Sequence, residues 1–419
     1  MHRIPPWNRS PASGFRPPTP TANLSTGNVV LMTNLAAITR DSAIGLFPSQ
    51  ETLDALRVEF AARADQYDRT GAFPHENFRR LHEHGLLALA APRAYGGGEA
   101  SLETLARVVG TIARGDASTA LVLTMQYLFH SLGARNPAWR ETQRALVFRS
   151  AVERGALVNG LRVEPELGTP ARGGLPATIA RRTPDGWRIS GRKIYSTGAP
   201  GLSWMLIWAR SDEPKPRVGG WLVPGDAPGV SIVESWDHLG MRATGSHDVT
   251  LDDVLVPLEH GPEYQDDVAE NVRLDTQFAA WNTILIAIIY DAVAREARDW
   301  FVRWLQERTP TNLGAPLATL PRFQEAVGRI DGLLLANRTL LDAAIAGAVS
   351  PQQVGLLKYL TSGNSIAAVE IAVELSGNPG LSRSSPLGRL YRDVLCSRVH
   401  TPQNDTILAG AGKSALVGV

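Results

Sequence analysis

The chain has 419 residues, a length that predicts two or three domains and excludes a single small module. Its 42 basic and 41 acidic residues leave a net charge of +1, which argues against nucleic acid as a partner, and 44% hydrophobic residues exclude disorder throughout. The only cysteine, Cys396, cannot form an internal disulfide or a thiolate metal site, so we predict a cytoplasmic protein without structural zinc.

Residues 1–45 are predicted to form a disordered tail. The first 40 residues contain six prolines and no acidic residue. The prolines interrupt the apolar segment of a secretory signal and the amphipathic helix of a targeting presequence, so both are disfavoured. A start at Met32 is an alternative to the first methionine.

Residues 46–158 are predicted to form an N-terminal helical domain. Apolar residues follow the 3.6-residue period over residues 51–67, and two further helices are predicted over residues 102–113 and 118–132. The glycine-rich stretch from Ala94 to Gly98 predicts a loop.

Residues 159–258 have a different character and predict a β domain. Short runs rich in β-branched and aromatic residues alternate with Gly, Pro and Asp clusters. The predicted strands are residues 186–191, 204–209, 220–224, 229–233 and 248–251. This spacing favours a compact antiparallel β barrel.

Residues 259–419 return to the helical period and predict a four-helix bundle. The predicted helices are residues 274–308, 320–348, 351–376 and 388–412. The apolar stretch from Phe278 to Ala294 contains Asn282 and Asp291 and is shorter than the roughly 20 residues of a membrane span. We therefore expect a buried bundle helix and no membrane partner, in a protein of α+β class that is mainly helical.

Several motifs occur in the order and spacing typical of one family. They are Phe73-Pro74 followed by Pro92-Arg-Ala-Tyr-Gly-Gly-Gly98, Glu164-Pro165, Trp187-Arg-Ile-Ser-Gly-Arg-Lys-Ile-Tyr-Ser-Thr-Gly198, Leu239-Gly-Met-Arg-Ala-Thr-Gly-Ser246 and Glu307-Arg308. Each motif is weak alone, but together they make the chain resemble the acyl-CoA dehydrogenase superfamily from about residue 50 onward. The resemblance implies a flavoenzyme whose C-terminal bundle pairs subunits into a homotetramer or homodimer.

The resemblance implies that Tyr195, Ser196 and Thr197 contact the flavin. A flavin needs an apolar or aromatic wall and donors near its ring nitrogens and carbonyls, and this triplet supplies a ring and two hydroxyls. An aromatic-capped strand end is the alternative interpretation. Arg308 matches the family arginine that grips the FAD pyrophosphate, but the neighbouring glycine motifs are altered, so the predicted cofactor is FAD or FMN.

The catalytic glutamate of the family is missing at both positions where family members carry it. The matching residues are Thr401 near the C-terminus and Gln277 in the first bundle helix. Phe278 replaces an arginine near the CoA phosphates, and residues 166–174 replace the loop whose serine contacts CoA. These losses predict a substrate pocket for a small molecule other than an acyl-CoA. Other carboxylates remain, among them Asp275, Glu164 and Asp405, so a displaced base stays open.

His400 and Thr401 resemble the "HT…D" motif of the flavin monooxygenases in the superfamily, which receive reduced flavin from a separate reductase. Imidazole can move a proton at neutral pH, so His400 is a candidate catalytic residue and His130 a second one. A hydrogen-bonded helix-end histidine and a satisfied core histidine are the alternatives. We expect no metal site, because the histidines are scattered, and no Rossmann-type nucleotide loop.

The sequence thus predicts a flavin-dependent monooxygenase or oxidase acting on a non-CoA small molecule. An acyl-CoA dehydrogenase with a displaced carboxylate is the second hypothesis. A relative that has lost its chemistry is the third.

Overall fold

Five helices precede the first strand in the computed structural model, which describes residues 47–166, 174–263 and 276–417. They are α1 (Gln50–Thr70), α2 (His75–Glu83), α3 (Leu102–Gly115), α4 (Ala117–Arg135) and α5 (Glu141–Arg154). Serine or aspartate side chains cap three of them, because Ser49 accepts from the Thr52 amide of α1, Ser101 from the Thr104 amide of α3, and Asp116 from the Ser118 and Thr119 amides of α4. The predicted tail at residues 1–45 lies outside the described residues.

The glycine-rich loop predicted before α3 is present and is packed tightly against its own chain. A Cβ atom built on Gly97 would lie 2.2 Å from the carbonyl oxygen of Ala91. Backbone atoms cannot move aside as the end of a flexible side chain can. Residue 97 must therefore be glycine, because no side chain fits at this position.

Replacing Gly97 by alanine should lower the free energy of unfolding by about 1–3 kcal/mol, the usual cost of overpacking. Gly328 is the matched control, because it is exposed inside a helix and a Cβ there meets nothing within 4 Å. Gly328→Ala should stabilise by up to about 1 kcal/mol through helix propensity. Urea unfolding of both variants checks this, and equal effects would contradict the packing explanation.

Seven strands in the described part of the chain form one sheet. They are β1 (Leu157–Leu161), β2 (Ile179–Thr183), β3 (Gly186–Lys193), β4 (Leu202–Ser211), β5 (Val218–Pro224), β6 (Val230–Val233) and β7 (Asp248–Val256). The five predicted strands are all present. β1 and β2 were not predicted, and the predicted domain boundary after residue 158 falls inside β1, whose residues pair with β4.

The sheet is mixed, which corrects the fully antiparallel prediction. β3 pairs antiparallel with β2 and β7, β4 with β5, and β6 with β7. β1 and β2, however, both run parallel to β4. Hydrophobic alternation identifies strands but not their directions, and no hairpin turn joins β1 or β2 to β4. The closed barrel stays a prediction.

The C-terminal part has three long helices and three shorter ones among the described residues. They are α6 (Thr276–Glu307), α7 (Pro321–Ile345), α8 (Pro351–Ser376), α9 (Asn378–Leu381), α10 (Leu387–Leu395) and α11 (Asn404–Val417). The predicted fourth helix over residues 388–412 is wrong, because the chain leaves the helix between α10 and α11. Pro402 has no amide hydrogen to continue a helical ladder, and the interruption contains His400.

α6 is long and apolar enough to cross a membrane, but two thirds of its most apolar window is buried inside the protein. It packs against α3 and α4 of the N-terminal part and against α7 and α8 of the C-terminal part. The apolar stretch predicted to be a buried bundle helix is therefore in the protein core. N-terminal and C-terminal helices share that core, which brings residues far apart in sequence to one place.

Candidate functional site

Tyr195, Ser196 and Thr197 follow β3 after one residue, Ile194. Tyr195 has a left-handed backbone with φ of 55°, and its side chain is 54% exposed. Its ring meets Trp236 and His238 edge-on, with centroid distances of 6.3 and 6.0 Å. A bulky residue held at positive φ is a strained arrangement that is concentrated at functional sites. An open aromatic surface therefore stands at the end of this strand.

The two hydroxyls of the triplet differ in their surroundings. The Ser196 side-chain oxygen is buried and has no hydrogen-bond partner in the described part of the chain. Thr197 lies 3.0 Å from the Ser246 hydroxyl, and its carbonyl accepts from Asn159 at 2.8 Å. A buried hydroxyl without a partner costs free energy unless a ligand satisfies it. The triplet thus fits the flavin that the sequence motif predicts, with an aromatic wall and hydroxyl donors side by side.

His400 lies in the interruption between α10 and α11 and is held by two other helices. The Tyr290 hydroxyl of α6 lies 2.6 Å from the imidazole Nδ1. The Lys358 ammonium of α8 donates to the carbonyl oxygens of His400 and Pro402, at 2.7 and 2.8 Å. Burial and the nearby Lys358 charge lower the pKa of His400 to about 4. His400 is therefore neutral at physiological pH.

Both positions of the missing glutamate are at the N-terminal part of α6: Gln277 lies in its first turn, and Thr401 contacts Asn282 of the same helix. The Thr401 carbonyl accepts from Asn282 at 3.0 Å. Gln277 accepts a hydrogen bond from Arg135 of α4, and Phe278 packs edge-on against Phe129 with ring centroids 5.5 Å apart. A neutral amide and a threonine cannot take up a substrate proton as a carboxylate does.

Glu164 is excluded as a displaced base by its contacts. It is fully buried, lies 2.5 Å from the Lys193 ammonium, and accepts from the Thr178 hydroxyl and the Ala177 and Thr178 amides. Burial opposes ionisation, but these hydrogen bonds hold the pKa of Glu164 below its usual value. Among the other carboxylates, Asp275 lies outside the described residues, and Asp405 is exposed on α11.

His130 lies in the core and not beside His400. Its side chain is 0% exposed, Nε2 is 3.2 Å from Gln126, and the ring packs edge-on against Phe148. Burial lowers the pKa of His130 to about 3. The two candidate histidines therefore contact different side chains. His130 has the burial of a core histidine, but its Nδ1 has no hydrogen-bond partner within the described ranges, and its catalytic role stays a prediction.

The buried His130 predicts a specific acid sensitivity. In the unfolded chain its pKa returns to about 6.5, so between about pH 6 and pH 4 the unfolded state binds a proton that the folded state does not. Stability is then lost as the pH falls, by about 1.4 kcal/mol per pH unit from this residue.

The measurement is urea unfolding at several pH values. His130→Leu should remove that slope. His400 adds a pH dependence of stability with the same sign, and Asp393, whose pKa burial raises to about 6, adds one with the opposite sign. Both residues are present in the variant and in the wild type. The difference between the two proteins therefore isolates His130. Parallel pH curves would contradict the assignment.

The remaining predicted residue, Arg308, lies apart from these contacts. It follows α6, is exposed, and its backbone carbonyl accepts from Leu317. Sequence reasoning missed Tyr290 and Lys358, which are both fully buried. A lysine in an otherwise apolar helical segment was the available signal, but nothing local connects it to His400. No group of three metal-ligating side chains occurs within the described ranges.

Comparison with known proteins places three family models along the chain. "Acyl-CoA dehydrogenase, N-terminal domain" matches residues 49–135, the "middle domain" matches residues 163–254, and the "C-terminal domain" matches residues 273–401. The models follow one another in the family order. They cover the helical, β and second helical parts of the fold described above.

Individual relatives fall into two chemical groups. YdbM of Bacillus subtilis, which is named as an acyl-CoA dehydrogenase, is 32% identical, and the match covers 85% of this chain and 94% of that protein. L-evernosamine nitrososynthase of Micromonospora is 30% identical over 80% of this chain and 81% of the enzyme. The structure of KijD3 with FMN and a dTDP-linked amino sugar has a TM-score of 0.75 and 27% identity, covering 88% of this chain and 92% of that one.

Proposed function

The chain belongs to the acyl-CoA dehydrogenase family, and from that premise we propose that it is a flavin-dependent monooxygenase or oxidase acting on a small molecule other than an acyl-CoA. The observation that carries this proposal is the pair of substituted base positions. Thr401 and Gln277 stand where family members have a glutamate, and Glu164 is held by Lys193. A neutral histidine, His400, stands beside Thr401 instead.

The residues after β3 are the proposed flavin site. Tyr195 would lie against the ring, and the hydroxyls of Ser196 and Thr197 would hydrogen-bond its polar edge. FMN is bound to KijD3, whereas Arg308 matches the FAD-binding motif of the family, so the cofactor is FAD or FMN. When reduced, either flavin supplies two electrons and activates O₂.

The reaction we propose balances without a metal. One oxygen atom of O₂ enters the substrate and the other leaves as water, with two electrons from reduced flavin and two protons from solvent. In oxidase chemistry the substrate instead supplies the two electrons, and O₂ leaves as hydrogen peroxide. In either case His400 can donate a hydrogen bond to oxygen. Its contacts with Tyr290 and Lys358, which hold its ring and backbone in place, support this role.

The proposal includes partners and a substrate class. A monooxygenase of this kind needs a separate flavin reductase as electron source, and the C-terminal helices would pair subunits into a homotetramer or homodimer. The nitrososynthase relatives and the amino sugar bound to KijD3 favour an amine-bearing sugar nucleotide as substrate. A cytoplasmic location stays a prediction from the single cysteine.

One experiment separates this function from its alternatives. The purified protein is loaded with FMN or FAD, reduced without oxygen, and mixed with ¹⁸O₂ and a thymidine-diphosphate amino sugar. Incorporation of ¹⁸O into the product is the expected result, and hydrogen peroxide with oxidised but unlabelled product marks an oxidase. Bleaching of oxidised flavin by acyl-CoAs would support a dehydrogenase, and failure to bind flavin would support a relative without chemistry.

A further inference from the structure

Three side chains from separate elements meet at the interruption between α10 and α11. Tyr290 and Lys358 are both 0% exposed, and His400 is half-buried. Tyr290 and His400 are 110 residues apart in sequence, and Lys358 and His400 are 42 apart. No motif predicted this contact. Each of the two buried residues acts on a different part of His400, one on the ring and one on the backbone.

We propose that Tyr290 and Lys358 are positioning residues that hold His400 as a neutral imidazole with its proton on Nε2, so that it donates a hydrogen bond and does not act as a base. This inference rests on the proposed function for the role of His400 in the reaction. It concerns which nitrogen is protonated, and that can be measured without any reaction.

The direction of the Tyr290 hydrogen bond determines the tautomer. A phenol is a much stronger acid than the N–H of a neutral imidazole, so the hydroxyl donates to the Nδ1 lone pair. The opposite direction would leave the Tyr290 proton buried, since no other hydrogen-bond partner of its hydroxyl occurs within the described ranges. With Nδ1 accepting, the single proton of neutral His400 must be on Nε2.

Lys358 holds the backbone on both sides of Thr401. Its ammonium donates to the carbonyls of His400 and Pro402 and makes no salt bridge with any described carboxylate. Burial lowers the pKa of Lys358 to about 8, so it is mainly charged at neutral pH. This buried charge fixes the position of His400 and also disfavours a second proton on its ring.

The other titratable groups near His400 do not counteract the preference of its ring for the neutral form. Cys396 and Asp393, on the segment leading to His400, act electrostatically on Tyr290 and raise its pKa further above the usual value, in addition to burial. Tyr290 therefore keeps its proton throughout the physiological range. No described carboxylate forms an ion pair with His400 that would favour the imidazolium.

The test is the protonation state of His400 in the full chain, labelled with ring-¹⁵N histidine and observed by long-range ¹H–¹⁵N NMR. His400→Gln assigns the signals. We expect the Nε2–H tautomer from pH 8 down to about pH 5, with a titration midpoint near 4. A dominant Nδ1–H tautomer, or titration near pH 6.5 in the wild type, would overturn the inference.

Two variants separate the two roles. Tyr290→Phe should produce a mixture of tautomers, and Lys358→Met should raise the His400 midpoint by about half a pH unit or more. Lys358→Arg, which keeps the charge, should retain the wild-type midpoint, and it serves as the second variant if Lys358→Met does not fold. The ring signals of His84, which is exposed on the surface, should have the same positions in the wild type and in each variant. Unchanged His400 signals in both variants would refute the positioning roles.

Activity distinguishes this inference from the proposed function. Tyr290→Phe should lower kcat for product formation and alter its pH profile with little change in KM. A protein that shows the Nε2–H tautomer but oxygenates no substrate contradicts the proposed function alone. A protein that oxygenates its substrate while His400 carries its proton on Nδ1 contradicts this inference alone.

Discussion

Replacing His400 by alanine is expected to reduce product formation by about 10²–10⁴-fold, the range for losing a positioned proton-transfer or hydrogen-bonding group. Flavin affinity should be unchanged, because the proposed flavin-binding segment at Tyr195 belongs to a different element from His400. The measurement is single-turnover product formation with pre-reduced flavin, together with a flavin-binding titration. A large effect on chemistry without an effect on binding identifies a residue that acts on the reaction.

The control for His400→Ala is His84→Ala, which removes an exposed imidazole far along the chain from every residue assigned to the site. Its turnover should match the wild type. If His400→Ala also retained full turnover, His400 would have no place in the mechanism, and its contacts with Tyr290 and Lys358 would be structural only.

Replacing Lys193 by methionine is expected to lower the free energy of unfolding by about 3–5 kcal/mol. The Lys193–Glu164 pair is completely buried, and Lys193 also donates to the Trp208 carbonyl. Removing the lysine leaves the Glu164 charge in the interior with only neutral donors. The loss should therefore exceed that of any surface ion pair, and urea unfolding measures it directly.

Two further variants make this prediction specific. The double variant Lys193→Met with Glu164→Leu removes both charges and should recover part of the lost stability. Arg192→Met, one residue earlier on β3, breaks a partly exposed pair with Asp248 and should cost about 1 kcal/mol or less. Equal losses from the Lys193 and Arg192 variants would show that burial does not determine the strength of the pair.

The Glu164–Lys193 pair also bears on function. Its two residues belong to two of the motifs by which the sequence resembles its family, the Glu164-Pro165 loop and the strand that precedes Tyr195. The pair joins these two segments within the β domain, 29 residues apart in sequence. Glu164 thus has a structural reason for its identity. It also cannot replace the missing glutamate, which weakens the hypothesis of a displaced base.

Much of the fold was predictable because helices and strands leave local periodic patterns. Three of the five helices before β1 (α1, α3 and α4), all five predicted strands and the burial of α6 follow from residues close together in sequence, whereas α2 and α5 were not predicted. Strand direction did not follow, because β1 and β2 are parallel to β4 through contacts that no local turn encodes. The single predicted last helix was wrong because Pro402 has no amide hydrogen to continue a helical ladder, so the chain leaves the helix between α10 and α11.

The family, the candidate flavin triplet at Tyr195 and the loss of the family glutamate are all readable from the amino-acid order, because each depends only on which residue stands at a motif position. The surroundings of the candidate acids and bases came from the folded chain. It placed His130 in the core, paired Glu164 with Lys193, and brought Tyr290 and Lys358 to His400. Protonation depends on burial and neighbouring charge, and those come from residues distant in sequence that packing brings together.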